Sequence, residues 1–178
     1  MLRINRLCMW VLSLAGLLSG ESCIASERMK LDTSTVKQLD VARFMGKWYE
    51  IARYEHRFEK GMSHVTAEYT LLSDGKIRVV NRGLKNGKPK DIVGKARQPN
   101  PVEYPGRLEV SFFLWFYSDY YILELGADYQ YAVIGSSSDK YLWILCRKPE
   151  MPQRELDGIL ANLRKRGYDL SRLVYVEQ

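Results

Sequence analysis

Apolar and polar residues alternate with a period of two along much of the chain between residues 47 and 147. In Val65-Thr66-Ala67-Glu68-Tyr69, for example, the odd-numbered positions are apolar and the even-numbered positions are polar. Such alternation is typical of strands with one buried and one wet face. Eight strands are predicted, at 47–54, 64–72, 76–83, 91–97, 107–112, 120–125, 129–135 and 141–147. Turn residues separate them, so the sequence predicts an all-β fold, either an up-and-down barrel or a sandwich.

A single segment, residues 152–166, has helical periodicity. Its apolar residues fall at i, i+3, i+4 and i+7, which is one face of an amphipathic helix; they are Leu156, Ile159, Leu160 and Leu163. The predicted strands at 120–125 and 141–147 are apolar on both faces, so their outer side needs a cover. We therefore expect this helix to pack outside the late strands, with residues 173–176 forming one more short strand.

The same alternation assigns an inner wall to the predicted sheet. Small residues at Ala67, Gly94 and Ala96 would leave volume inside, whereas aromatic and aliphatic residues supply the wall. A barrel of eight strands either fills its interior with side chains or holds one small ligand, and both readings fit the pattern. If the interior is hollow, the ligand-binding wall comprises Val65, Ala67, Tyr69, Ile77, Val79, Asn81, Ala96, Leu108, Val110, Phe112, Tyr141, Trp143 and Leu145.

The first residues resemble an export signal. Arg3 and Arg6 precede an apolar run from Cys8 to Leu18, and that run is too short to span a bilayer comfortably. Cys23 follows Ser22 shortly after this run, as at the cleavage site of a bacterial lipoprotein, where this cysteine becomes acylated. We expect a signal peptide at 1–22 and a tether at 23–38. Ordinary cleavage near Ala25, which would leave a periplasmic or secreted soluble protein, is the alternative.

Charge and cysteine content narrow the class of protein. The formal net charge is +6, but the basic residues are scattered among carboxylates along the whole chain. This distribution favours a soluble basic surface, or weak attraction to anionic membrane, over a nucleic-acid groove. Cys8 leaves with the signal, and an acylated Cys23 leaves Cys146 without a partner, so no disulfide is expected.

Three ordered segments identify a family resemblance. They are Gly46-Lys47-Trp48-Tyr49-Glu50-Ile51-Ala52-Arg53, Gly126-Ala127-Asp128-Tyr129-Gln130-Tyr131-Ala132 and Leu142-Trp143-Ile144-Leu145-Cys146-Arg147. They resemble, in order and spacing, the motifs of the lipocalins, and most closely those of the bacterial outer-membrane lipoproteins similar to apolipoprotein D. The resemblance runs from about Leu39 to residue 178. It implies an eight-stranded antiparallel up-and-down barrel with one C-terminal helix outside.

The resemblance also implies a function and a cellular location. Bacterial lipocalins are thought to bind fatty acids or lysophospholipids and to store, carry or salvage envelope lipid. The expected partners are therefore a small hydrophobic ligand and the outer membrane, reached through a lipid anchor on Cys23. A planar pigment such as haem or a carotenoid is the alternative ligand. The sequence does not distinguish among these ligands, because apolar walls discriminate poorly between chains of similar length.

Two residues are expected to close one end of the barrel. A Trp from the first strand stacked under an Arg from the last one plugs a barrel by ring burial and a cation–π contact, and those residues would be Trp48 and Arg147. The alternative is that Trp48 is an ordinary core aromatic and Arg147 a surface charge. In neither reading is either residue catalytic.

If the first strand starts at the plugged end, the segments 55–63, 84–90, 113–119 and 136–140 surround the open mouth. The third is densely aromatic, with Phe113, Trp115 and Phe116 as the mouth-loop residues. Exposed aromatic residues suit a membrane interface or an acyl-chain entrance. Alternatively, these rings fold back as a lid, or contact a second copy of the chain in a homodimer.

Catalytic signals are weak. The sequence has two histidines, His56 and His64, and it has no G-x-S-x-G, H-E-x-x-H or C-x-x-C motif. Strand parity places Cys146 outside the barrel, away from any ligand. We therefore expect neither enzymatic activity nor a cofactor or metal. A metal or haem site at the two histidines and a lipocalin-type enzyme are the weaker alternatives.

Overall fold

The structure, a computed structural model, describes residues 30–178, so the predicted signal peptide, Cys8 and Cys23 lie outside it. Within this range the chain forms strands that follow one another along the sequence, then a helix and a short final strand. The strands are β1 (Gly46–Tyr54), β2 (Met62–Leu71), β3 (Ile77–Lys85), β4 (Lys88–Arg97), β5 (Arg107–Phe113), β6 (Phe116–Leu125), β7 (Tyr131–Gly135), β8 (Leu142–Cys146) and β9 (Leu173–Tyr175). The helices are α1 (Val41–Phe44) and α2 (Gln153–Lys165), and a 3₁₀ turn covers Leu170–Arg172.

Consecutive strands pair antiparallel from β1 to β8, and β1 also pairs with β8. Because β1 has a neighbour on each side, the sheet closes on itself into a barrel. The predicted eight-stranded up-and-down barrel with one C-terminal helix outside is confirmed.

Side chains pack in two layers on opposite faces of the barrel wall. The inner layer contains Trp48 and Tyr69 together with aliphatic residues from most strands. The outer layer lies between the late strands and α2, whose Leu156, Ile159 and Leu163 are buried there. The expected outer cover is thus confirmed.

The last residues seal the place where β1 separates from β2. The two strands pair only as far as Tyr49, beyond which β9 pairs with β1. The Gln178 side-chain amide then donates to the carbonyl oxygens of Glu50, at 2.6 Å, and Val65, at 3.0 Å. One side chain therefore satisfies a backbone group on each of the separated strands.

The N-terminal part of the described chain also lies against the barrel. Leu31 packs with the outer layer and Val36 with the inner layer, and the Val36 amide donates to the Ile122 carbonyl at 3.0 Å. No helix within residues 30–178 has the length and apolarity needed to cross a bilayer.

Candidate functional site: the barrel interior and its mouth

One end of the barrel is sealed around Trp48, whose side chain is fully buried. The Arg147 guanidinium carbon lies 3.8 Å from the centre of the indole ring. The guanidinium also donates to the carbonyl oxygens of Arg43 at 2.7 Å, Lys47 at 3.0 Å and Tyr129 at 3.2 Å. The structure thus brings Trp48 and Arg147 together and ties the pair to the chain around it.

The short helix α1 completes this seal. Phe44, its last residue, is buried with its ring centre 5.1 Å from that of Trp48, and the Phe44 carbonyl accepts a hydrogen bond from the Trp48 indole at 2.9 Å. The Asp40 side chain caps the helix by accepting from the Arg43 amide. A four-residue helix is too short to show helical periodicity, so it could not be predicted from the pattern of apolar residues.

Above the seal, the predicted wall residues meet in one apolar cluster. Tyr69, a member of this cluster, shares a 2.7 Å hydrogen bond between hydroxyl groups with Tyr120, and burial raises the pKa of both phenols, so both remain neutral. The fully buried wall residues in the cluster are Tyr69, Ile77, Val79, Ala96, Leu108 and Leu145. Val65 is also buried, next to Gly83 at an irregularity in β2.

Nearer the mouth, inward-facing residues are only partly buried. Ala67 lies opposite Trp48 and Asn81 in the strand register, so all three point into the barrel. Ala67 and Asn81 are nevertheless only partly buried, so the side chains around them do not cover them completely. The predicted wall residues in this position are Ala67, Asn81, Val110, Phe112, Tyr141 and Trp143.

Gly94 does not contribute to this open space. A Cβ at Gly94 would approach the Phe112 ring to 2.6 Å, so Phe112 already fills the volume that the small residue was expected to leave. In contrast, the Oδ1 atom of Asn81 is buried and has no hydrogen-bond partner among the described residues. It is a free acceptor on the inner wall.

A charged group that sequence reasoning missed lies inside the barrel. Glu50 and Arg53 are both buried, and the Arg53 Nη1 atom donates a 2.7 Å hydrogen bond to the Glu50 Oε1 atom. Burial and the nearby Glu59 carboxylate raise the pKa of Glu50 to about 8. Glu50 follows Trp48 by two positions, so period-two alternation could have placed it inside. Arg53 points inward because the register shifts between Glu50 and Ala52.

The β1–β2 connection brings further polar groups to this end. Glu59 accepts a 3.1 Å hydrogen bond from the Trp143 indole through its Oε2 atom, which also lies 2.8 Å from the His56 Nε2 atom. The His56 ring meets Tyr141 and Trp143 edge to face, with ring centres 5.6 and 5.4 Å apart. His64 is exposed in β2, so the two histidines are not brought together to face the interior.

The predicted aromatic mouth loop is a tight hairpin. Phe113 and Phe116 pair as the ends of β5 and β6, so only Leu114 and Trp115 form the turn. This corrects the expected loop at 113–119. Leu114 adopts a positive φ of 51°, which let the chain turn without glycine. All four side chains are exposed, by 67% for Phe113, 54% for Leu114, 71% for Trp115 and 64% for Phe116, so they do not fold back as a lid.

Cys146 lies on the other side of the wall. It is buried in the outer layer beneath α2, and its sulfur is 4.0 Å from the Glu150 carbonyl oxygen. Residues 30–178 contain no cluster of three or more His, Cys, Asp or Glu side chains able to hold a metal ion. The inner wall is mainly apolar, with Glu50, Arg53 and Asn81 among its polar residues.

Comparison with known proteins matches this architecture. Residues 39–178 fit a family model described as a lipocalin-like domain. The outer membrane lipoprotein Blc of Vibrio cholerae serotype O1 is 42% identical over 146 residues, which cover 80% of this chain and 85% of that protein. Mouse apolipoprotein D is 33% identical over 152 residues, covering 80% of this chain and 78% of that protein.

A solved structure supports the fold. Insecticyanin from the tobacco hornworm Manduca sexta superimposes with a TM-score of 0.69 at 21% identity, over 84% of this chain and 86% of that one. The family model covers residues 39–178, which include both the seal and the mouth. The chain belongs to the lipocalin family.

Proposed function

We propose that this protein binds a single-chain amphiphile, a fatty acid or a lysophospholipid, inside the barrel and stores or carries it in the bacterial envelope. The observation that carries the proposal is the decrease in burial along the inner wall, from the sealed end toward the mouth. Residues such as Leu145 near the sealed end are buried, whereas Ala67 and Val110 pack against the same cluster but remain partly accessible. An acyl chain would enter from the mouth and extend toward Trp48. No catalytic step is part of this function.

Burial of the acyl chain supplies the affinity. Each buried methylene contributes about 0.8 kcal/mol, so a dozen of them contribute about 10 kcal/mol before the costs of association are subtracted. The polar groups at the mouth, including Asn81 and Trp143, would meet the head group. This division of the site matches the chemistry of a molecule with one apolar and one polar end.

The aromatic hairpin at 113–116 supports transfer of this ligand from a membrane. A leucine with positive φ costs about 1–2 kcal/mol, and Leu114 gains no core burial in return. Strain of this kind at an exposed turn points to a surface role. Lys85 and Lys88, on the hairpin between β3 and β4 at the same end, would attract anionic lipid head groups.

An N-terminal lipid anchor fits the same role. Cys23 stands where a lipoprotein is acylated, and the similar protein of Vibrio cholerae is named an outer membrane lipoprotein. An acylated Cys23 would hold the barrel at the outer membrane, where the mouth hairpin meets lipid. A second copy of the chain is the competing partner for the hairpin, and a dimer in solution would favour that partner.

The test compares two tryptophan substitutions on one strand. Ala67→Trp places a large ring in the open interior, whereas Thr70→Trp places the same ring on the exposed outer face of β2. We expect Ala67→Trp to weaken binding of a fluorescent fatty acid at least about tenfold and Thr70→Trp to leave it unchanged. Equal binding by both variants would contradict an interior site. Visible absorbance of the purified protein would instead indicate haem or a carotenoid.

A further inference from the structure

The β1–β2 connection sends the side chains of His56 and Glu59 into the mouth of the barrel. Both are mostly enclosed, with 14% and 13% of their side-chain surface exposed. Their partners belong to the neighbouring strand β8 and the residue before it, since the Trp143 indole donates to the Glu59 carboxylate at 3.1 Å and Tyr141 packs against the His56 ring. A carboxylate carried by the connection is thus bound by donors of the barrel wall.

The groups around this carboxylate form a receptor for an anion. The His56 ring, whose Nε2 atom is 2.8 Å away, and the Trp143 donor act against burial and lower the pKa of Glu59, so it is ionised at neutral pH. Arg53, 1% exposed, lies directly beneath and donates through Nη2 to the Glu59 carbonyl at 2.8 Å. The Arg53 Nε atom is buried and has no acceptor among the described residues. Donor capacity at this place therefore exceeds what the chain itself satisfies.

The resident carboxylate sits on a segment that is separate from the barrel ladder. The Glu59 amide donates to the His56 carbonyl at 3.1 Å, and the Met62 amide donates to the Glu59 carbonyl at 2.9 Å. These are turn bonds within the connection. The Glu59 side chain can leave its donors by rotating, without breaking a bond between strands.

The receptor also lies in line with the apolar wall. Trp143 and Leu145 both face inward on β8, and Leu145 belongs to the buried cluster around Trp48. A head group held at the Trp143 indole would therefore place its acyl chain along Leu145 toward the sealed end. The alignment joins an anion receptor to an apolar channel.

We propose that Glu59 occupies the receptor for the ligand's anionic head group and that an entering carboxylate or phosphate displaces it from Trp143 and His56. This inference rests on the proposed function and adds the class of head group and the orientation of the ligand. Exchange of one anion for another keeps a negative charge next to the His56 and Arg53 side chains. A neutral head group cannot make that exchange, because it would leave these donors without an anion.

Substitution of the resident carboxylate gives the decisive comparison. Glu59→Gln keeps the shape of the side chain but removes the competing charge. The probes are a fatty acid, a lysophosphatidic acid and a primary alcohol with the same acyl length. We expect Glu59→Gln to tighten binding of the two anionic probes about tenfold and to change alcohol binding by less than about twofold. The relative gain of carboxylate and phosphate identifies which head group the receptor prefers.

The matched control is Glu68→Gln, which removes an exposed carboxylate paired with Arg82 on the outer face of the same barrel. It should change the binding of no probe. Trp143→Phe removes one donor while keeping a ring, and it should weaken the anionic probes while leaving the alcohol unchanged. This variant tests the receptor independently if Glu59→Gln does not fold.

Two results would overturn the inference. The first is an equal change in acid and alcohol binding for Glu59→Gln or Trp143→Phe, which would show that these residues only shape the mouth. The second is weaker acid binding by Glu59→Gln. Failure of the proposed function has a different signature, because then the wild-type protein would bind neither the acids nor the alcohol.

Discussion

The contact between Trp48 and Arg147 should appear as a coupling energy in a double-mutant cycle. Trp48→Leu removes a fully buried ring, with its cation–π contact and its hydrogen bond to the Phe44 carbonyl. Arg147→Met removes the guanidinium and three donated hydrogen bonds, but keeps much of the apolar stem. Each variant should therefore destabilise the fold.

The magnitudes follow from what each side chain loses. Replacing the Trp48 ring by a smaller aliphatic group should cost about 2–3 kcal/mol. This is less than the roughly 3–5 kcal/mol that is typical when a buried Trp is replaced by Ala. Losing the Arg147 bonds should cost about 2 kcal/mol, because the guanidinium is only partly buried. The cation–π contact disappears in either single variant, so the double variant should cost about 1 kcal/mol less than the sum.

Urea unfolding followed by far-ultraviolet circular dichroism measures each free energy of unfolding. The control cycle pairs Trp48→Leu with Arg172→Met, since Arg172 covers a different ring, that of Tyr54, at 4.2 Å. That cycle should be additive. If the Trp48 and Arg147 variants were additive within about 0.3 kcal/mol, the two side chains would not stabilise each other and the account of the seal would be wrong.

Three other results are expected. Between pH 4.5 and about 8 the folded protein holds a proton on Glu50 that the unfolded chain has lost, so stability should fall as pH rises through this window, and Glu50→Gln should remove that part of the slope in thermal melts. Trp115→Ala combined with Phe116→Ala should slow transfer of a fluorescent fatty acid from anionic vesicles while the melting temperature stays nearly unchanged, because both side chains are exposed; equal transfer rates would remove the hairpin from ligand entry. Cys23→Ser should move the protein from the membrane to the soluble fraction, and an unmodified Cys23 in mass spectrometry of the wild-type protein would favour ordinary signal cleavage.

Strand periodicity predicted most of the fold because each inner position on the barrel is followed by an outer one. The predicted strand at 107–112 differs from the observed one by one residue at its end, and the predicted helix at 152–166 differs by one residue at each end. The aromatic turn was predicted too long. Turn chemistry is read from glycine, asparagine and proline, and Leu114 reaches a positive φ without any of them.

The positions of the polar residues in the site were harder to predict from the sequence. Glu50 keeps the parity of Trp48 and could have been placed inside, but the register shift before Ala52 turns Arg53 inward against simple alternation. The position of Glu59 depends on the path of the β1–β2 connection, which has no periodic pattern of apolar and polar residues. Interior space is likewise set by packing, as the Phe112 ring over Gly94 shows.

Native mass spectrometry can show whether the barrel holds an amphiphile. The full chain would be produced in a bacterial host, purified from its envelope, measured intact, and then extracted so that any released lipid is identified. The account predicts one bound amphiphile per barrel, with a single acyl chain and an anionic head, and loss of that mass in Ala67→Trp but not in Thr70→Trp. A wild-type barrel that carries no apolar molecule, and acquires none when a fatty acid is added in excess, would contradict it.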